Sequence, residues 1–182
     1  MKTLNNYITE KLKITKTKLK GSTKLTLFPK TKKELFNILY EEIDNNGPKC
    51  SLNHIDTSEI TDMSDIFSWT HSLAHWNGDM SEWDVSNVTD MREMFKGSYF
   101  DGDLSRWDVS NVETMNGMFW NSAFNQDISG WDISNVIDME YMFSKSVFNQ
   151  DISNWELNPK CKTKNMFWSS KIEDKYRPTK KK

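Results

Sequence analysis

Residues 124–143 read FNQDISGWDISNVIDMEYMF, and the same phrase returns with substitutions at intervals of 24 residues. Trp83, Trp107, Trp131 and Trp155 open successive copies, WDVSNVTDM, WDVSNVETM, WDISNVIDM and the degraded WELNPKCKT, while residues 55–63, IDTSEITDM, form an earlier copy without the Trp. A second block follows each of them: Ile66-Phe67, Met94-Phe95, Met118-Phe119, Met142-Phe143 and Met166-Phe167. A third block opens on Trp76, Phe100, Phe124 and Phe148. The first unit is longer by four residues, because nine positions separate Phe67 from Trp76 where five separate Phe95 from Phe100. A unit this short cannot bury its own apolar face, so neighbouring units are expected to stack into a quasi-one-dimensional array.

Within a unit, Ile128, Trp131, Ile133 and Val136 follow the apolar-x-x-apolar-x-apolar-x-x-apolar spacing that leucine-rich repeats use for a short strand. Downstream, Val136, Met139, Met142 and Phe143 recur at i, i+3, i+6 and i+7, which predicts a turn or two of helix. Asn135 with Asp138, Asn87 with Asp90 and Asn111 with Thr114 are expected to cap that helix. The fold class expected from these patterns is α/β, a short leucine-rich-repeat-like solenoid of about four to five 24-residue units with an N-terminal helical cap. Met63, Met91, Met94, Met115, Met118, Met139, Met142 and Met166 fall in register with the Phe column and are assigned to the core.

Composition agrees with a stack of thin units. Of the 182 residues 36% are apolar, too few for one thick core, yet 13% are aromatic, too many for a disordered chain. Cutting the chain at residues 50 and 159 separates formal charges of +6, −15 and +7, from eleven basic against five acidic residues, four against nineteen, and nine against two. An acidic body is thus flanked by basic ends. Two cysteines, Cys50 and Cys161, make no disulfide framework. No apolar run approaches the ~18 residues of a membrane span, and the opening MKTLNNYITEKLKITK lacks the hydrophobic core and cleavage site of a signal peptide. The chain as written is therefore expected in the cytoplasm.

The phrase WDVSNVTDMxxMF…FNQDIS resembles the short repeat of BspA-type leucine-rich-repeat-like surface proteins, the unit found in tandem in mycoplasma lipoproteins, over about residues 55–168. The resemblance implies an adhesion or protein-interaction scaffold without catalytic activity, and a cell-surface location. The sequence departs from the surface members in lacking an export signal or lipobox cysteine. Its opening, MKTLNNYITEKLKI, is similar to the starts of small proteins of large gut phages. That similarity implies, as an alternative, a phage host-interaction or inhibitor protein, with a place in the virion.

The organisation expected is a basic N-terminal segment and helical cap at 1–50, the repeat solenoid at 51–168 and a basic disordered tail at 169–182. Thr31-x-x-Glu34 is a capping-box pattern ahead of Leu35, Phe36, Ile38, Leu39 and Ile43, and Asn46-Gly47-Pro48 is a stop signal. Leu4, Ile8 and Leu12 fit an earlier helix face, followed by a lysine-and-threonine segment, strand or linker, to about residue 28.

Candidate partner-binding residues fall into two groups. Asp84, Asp108, Asp132 and Glu156 form an acidic column beside the Trp column, bordered by the variable row Glu82, Arg106, Gly130 and Asn154, and this face suits a basic protein surface. Asp79, Asp103, Asp127 and Asp151 form a second acidic column assigned to turns. The other group is aromatic: Trp120 and Trp168 stand where other units have Ser68, Lys96 and Ser144; Tyr141 stands where they have Gly117 or Glu93; and Tyr99 replaces Ala123 or Val147. The fold does not demand rings there, and exposed Trp and Tyr are typical binding anchors. Ser86, Ser110 and Ser134 lie beside carboxylates, but no histidine recurs with them, so no catalytic residue is assigned and no enzyme is expected. Cys50, His54, His71 and His75 offer zinc donor types, yet without the paired cysteines of a zinc finger, so no metal and no cofactor are assigned. Binding of nucleic acid through the basic ends is a further alternative, weakened by the absence of arginine forks and by the acidic body. The function expected is a non-catalytic protein–protein interaction module; the partner and the oligomeric state are left open.

Overall fold

The computed structural model describes residues 15–19 and 22–179. The expected helix face at Leu4, Ile8 and Leu12 lies outside the described residues, as do Lys180, Lys181 and Lys182. Strands β1 (Thr15–Leu19) and β2 (Ser22–Thr26) pair antiparallel, Thr15 opposite Thr26 and Leu19 opposite Ser22, so the lysine-and-threonine segment is a hairpin rather than a linker. Helix α1 (Lys32–Asn46) follows. Thr31 caps it by accepting the Glu34 N–H at 3.2 Å, and the Glu34 carboxylate reaches back to the N–H of Lys30 at 2.8 Å. Gly47 ends it at φ +86, where a side chain would strain the backbone, and donates its N–H to Ile43. Leu35, Ile38 and Leu39 are buried, and α1 lies against the first unit, where Phe36 meets the His71 ring edge-on at 4.9 Å and Lys30 pairs with Glu59.

The α/β leucine-rich-repeat-like solenoid is not what the repeats form. From residue 51 to 179 there is no strand and no α-helix, only turns, isolated bridges and two 3-10 turns at Ser72–His75 and Asp174–Tyr176. The expected strand at Ile128–Val136 is instead two tight turns, with Trp131 N–H donating to Ile128 and Val136 N–H to Ile133. Residues three apart both face inward because the chain folds back between them. The expected helix is broken by left-handed residues: Asp65, Glu93, Gly117, Tyr141 and Asn165 share one slot, and Gly97, Asn121, Lys145 and Ser169 share another four positions on. Neither an α-helix nor a strand propagates through such a residue. Nor does Asn135 cap: its side-chain amide donates to the Ser110 carbonyl of the preceding unit at 2.7 Å, as Asn111 does to Ser86 and Asn87 to Ser58.

Order comes from bonds between units. Met115, Gly117, Phe119 and Asn121 donate their N–H groups to Asp138, Glu140, Met142 and Ser144 of the next unit, and the same four slots repeat one unit later, from Met139 to Lys145. Single parallel bridges run Asp62, Asp90, Thr114, Asp138 and Lys162. Three aromatic ladders fill the interior. Phe67, Phe95, Phe119 and Phe143 stack 5.6 Å apart with nearly parallel rings, and Phe167 follows at 5.9 Å. Trp76, Phe100, Phe124 and Phe148 form the second ladder, and the Trp column the third. The eight in-register methionines are all buried. Residues 170–179, expected within a disordered tail, lie on the last unit: Ile172 is buried and Ile152 N–H donates to Tyr176.

Candidate functional site

Each unit presents two corners, and the sequence-derived candidates divide between them. At the Trp-turn corner, Asp84, Asp108, Asp132 and Glu156 are exposed, as are Glu82, Arg106, Gly130 and Asn154, but they stand on turns and not on a strand face. The carboxylates there have local work. Asp84, Asp108 and Asp132 accept the N–H of Ser86, Ser110 and Ser134 at 3.0, 3.1 and 3.0 Å, and Asp79, Asp103, Asp127 and Asp151 do the same for the serines two residues on. Ser110 Oγ also donates to Asp108, at 2.6 Å. These serines serve turns. Arg106 reaches Ser81 Oγ at 3.5 Å. A shallow depression of about 240 Å³ between the last two Trp turns is lined by Asp132, Ser134, Asn154 and Glu156.

The hydrogen bonds leave a titration signature. The Ser110 hydroxyl and N–H hold Asp108 below the usual carboxylate range, and the N–H and hydroxyl groups of Ser81, Ser105, Ser134 and Ser153 do so for Asp79, Asp103, Asp132 and Asp151. A carboxylate whose folded pKa is depressed stabilises the fold above its unfolded pKa of about 3.9, and that contribution is lost as pH falls toward the folded value. The melting temperature is therefore expected to be level above about pH 5 and to fall below about pH 4. Asp132→Asn keeps an acceptor for Ser134 but removes the ionised form that the turn favours, so it should lower the melting temperature slightly at neutral pH and flatten the acid loss, the two profiles converging below about pH 4. An acid profile identical to that of the parent would show that this turn contributes nothing.

At the other corner the structure gathers a strip of rings. Trp120 lies 6.2 Å from Tyr141 and 6.5 Å from Trp69, although Trp69 belongs to a unit two removed. Gly97 makes that reach possible: a Cβ there would come within 2.9 Å of the Trp69 side chain. Lys96 sits between the two indoles, 4.6 Å from the Trp120 ring and 5.9 Å from Trp69, with Glu93 as its partner at 2.6 Å. Trp120 Nε1 is buried with no acceptor among the described residues. Further along the corner, Trp168 is 55% exposed with Lys145 5.0 Å over its ring. Trp69 is 56% exposed and was not a sequence candidate; its slot holds glycine, asparagine, lysine or serine in other units, and only the small Gly97 beside it hinted at a crossing ring. Tyr99 is exposed and stacks on His75 at 5.0 Å, on the return side of the enlarged first unit.

Tyr141 occupies its slot at φ +60, a conformation that costs a non-glycine residue about 1–2 kcal/mol and that Gly117 adopts freely one unit earlier. Tyr141→Gly should therefore leave the melting temperature within a few degrees of the parent while removing one ring from the strip. A large loss of stability would assign the ring to packing.

The cysteine and histidines of the zinc question are not assembled. His54 pairs with Glu42 at 3.2 Å, His71 meets Phe36 and His75 meets Tyr99. Among the described residues no group of three or more His, Cys, Asp or Glu side chains is placed to hold a metal ion. Cys50 and Cys161 are not joined in a disulfide. No helix among the described residues is long and apolar enough to cross a membrane.

A family model described as "Mycoplasma protein of unknown function, DUF285" matches residues 36–146 and 100–176, the body of α1 and the repeat turns together. The chain belongs to that family. No curated protein and no solved structure matches it. The two matched segments of the DUF285 model overlap at 100–146, as expected where one repeating pattern can be laid on the chain in more than one register. In this DUF285 chain the ladders and turn carboxylates recur from unit to unit, whereas the aromatic strip belongs to particular units.

Proposed function

We propose that this DUF285 chain is a non-catalytic protein-interaction module that engages its partner through the corner carrying Trp69, Lys96, Trp120 and Tyr141, with Trp168 extending the same edge. The observation that carries this reading is the mismatch between ring and slot: stacking accepts Ser68, Lys96 or Ser144 where Trp120 stands, and Gly117 where Tyr141 stands in a strained conformation. Large rings left partly open to water are what interface anchors look like. The repeated phrase also supports placing the chain beside BspA-type surface proteins, whose role is adhesion or scaffolding. The acidic rows at Asp84, Asp108, Asp132 and Glu156 add a long-range attraction for a basic partner, acting on association rate more than on contact energy.

The test is affinity capture from extracts of the source organism with the parent chain and with a Trp69→Ser, Trp120→Ser, Tyr141→Gly variant that retains its melting temperature. A protein held by the parent should be lost at least tenfold from the variant. For a captured partner, Asp108→Asn with Asp132→Asn should slow association and flatten its salt dependence, with only a small loss of stability. Equal retention by parent and aromatic variant would overturn the reading, and salt-sensitive retention of DNA alone would replace it with the nucleic-acid one.

A further inference from the structure

The two ends of the repeat stack are finished differently. At the N-terminal end α1 lies on the first unit, Lys32 bonds Asp62 and Ser64, and Leu27 exchanges backbone bonds with His54 and Asp56. At the C-terminal end the ladder of donors runs on without a receiver. Met139, Tyr141, Phe143 and Lys145 give their N–H groups to Lys162, Lys164, Met166 and Trp168. The equivalent N–H groups one unit later, on Thr163, Asn165, Phe167 and Ser169, find no acceptor among the described residues. Phe167 ends its ladder only half-buried, with the Arg177 guanidinium 5.4 Å above the ring.

Two side chains at the same end share this lack. Only three buried side-chain polar atoms among the described residues have no partner, and two of them, Ser170 Oγ and Arg177 Nε, belong to this terminal segment. The charge of the end is also reversed relative to the body. Lys162 stands in the bridge column that holds Asp62, Asp90 and Asp138 earlier, and Lys160 and Lys164 flank it, all three exposed.

We infer that this end is a docking surface for an acidic, repeat-like segment of a partner protein, which adds to the stack as one further unit. Four donors at i, i+2, i+4 and i+6 need four carbonyls at the same spacing, which a segment in the repeat's own conformation supplies; this is the backbone logic of adding a strand to an open sheet edge. The three lysines select an acidic segment. They also oppose a basic end of another copy, as lysines guard open edges elsewhere. A second copy is disfavoured on geometry, since two such ends would meet donor to donor and the opposite end is covered by α1. This surface lies at the end of the stack; it adjoins Trp168 but does not depend on Trp69, Trp120 or Tyr141.

A synthetic peptide of residues 131–146, WDISNVIDMEYMFSKS, carries three acidic residues against one lysine and provides the probe. Added to the full chain, it should raise hydrogen-exchange protection at the amides of Thr163, Asn165, Phe167 and Ser169 at least fivefold. Lys160→Glu, Lys162→Glu and Lys164→Glu together should weaken its binding at least tenfold at an unchanged melting temperature. A scrambled peptide of the same composition should bind at least tenfold less well. Absence of binding, protection confined to the Trp69 and Trp120 corner, or equal binding of the scrambled peptide would each overturn the inference. The aromatic-corner variant separates the two proposals, because it should bind the peptide as the parent does.

Discussion

Phe119→Ala is expected to cost about 3–5 kcal/mol and to unfold the repeat region as one unit. The ring is fully buried, 5.6 Å from Phe95 and from Phe143 along its ladder and 4.2 Å from Phe124 in the next. Its removal opens a cavity bounded by stiff, stacked rings that cannot collapse into it without shearing the backbone bonds at Phe119 N–H and Met118 C=O. In a stack each unit is held by its neighbours alone, so a break in the middle leaves two short pieces, neither able to cover its new face. A denaturant melt should show a lower midpoint with a single transition. Phe167→Ala, at the half-buried end of the ladder, should cost much less, and an unchanged midpoint for Phe119→Ala would remove this column from the core.

The contrast between these two phenylalanines separates what sequence reading could reach from what it could not. The 24-residue return of Trp, Met and Phe predicts which side chains are inside, because apolar identity at a fixed period is a statement about burial. Type of backbone is a different matter. Apolar residues three apart occur in the spacing of a leucine-rich-repeat strand, on a helix face and equally across a tight turn, and the bonds from Trp131 N–H to Ile128 in the expected strand and from Met142 N–H to Met139 in the expected helix show turns. The left-handed slots break the helix, and four of the nine are filled by residues that do not advertise them: Glu93, Tyr141, Lys145 and Ser169. Gly97 and Gly117 mark them in the sequence, and Asp65, Asn121 and Asn165 do so more weakly. At α1 no such ambiguity arose, since Thr31, Glu34 and Gly47 each carry local chemistry specific to a helix end. For the candidate site, Trp120 and Tyr141 were visible as rings in slots that other units fill with smaller groups. Trp69 was not, because its contact with Trp120 crosses a whole unit over Gly97.

Trp131→Ala is expected to be comparably damaging, about 3–5 kcal/mol, and Trp131→Phe to recover most of that loss. The indole does two things at once. Its body is 4% exposed and packs 6.4 Å from both Phe119 and Trp155, while Nε1 donates to the Leu104 carbonyl at 3.0 Å, across the boundary between units. Trp83, Trp107 and Trp155 repeat the bond to Leu52, Met80 and Ile128, so each Trp ties one unit to the unit before. The Leu104 carbonyl also accepts Trp107 N–H, so phenylalanine at 131 would not orphan it. The loss is then that of one net hydrogen bond, about 0.5–1.5 kcal/mol, plus the smaller ring. Packing should therefore outweigh the bond, and the Phe variant should melt much nearer the parent than the Ala variant. If phenylalanine costs as much as alanine, the inter-unit bond dominates, and Trp occupies this column for its N–H and not for its bulk.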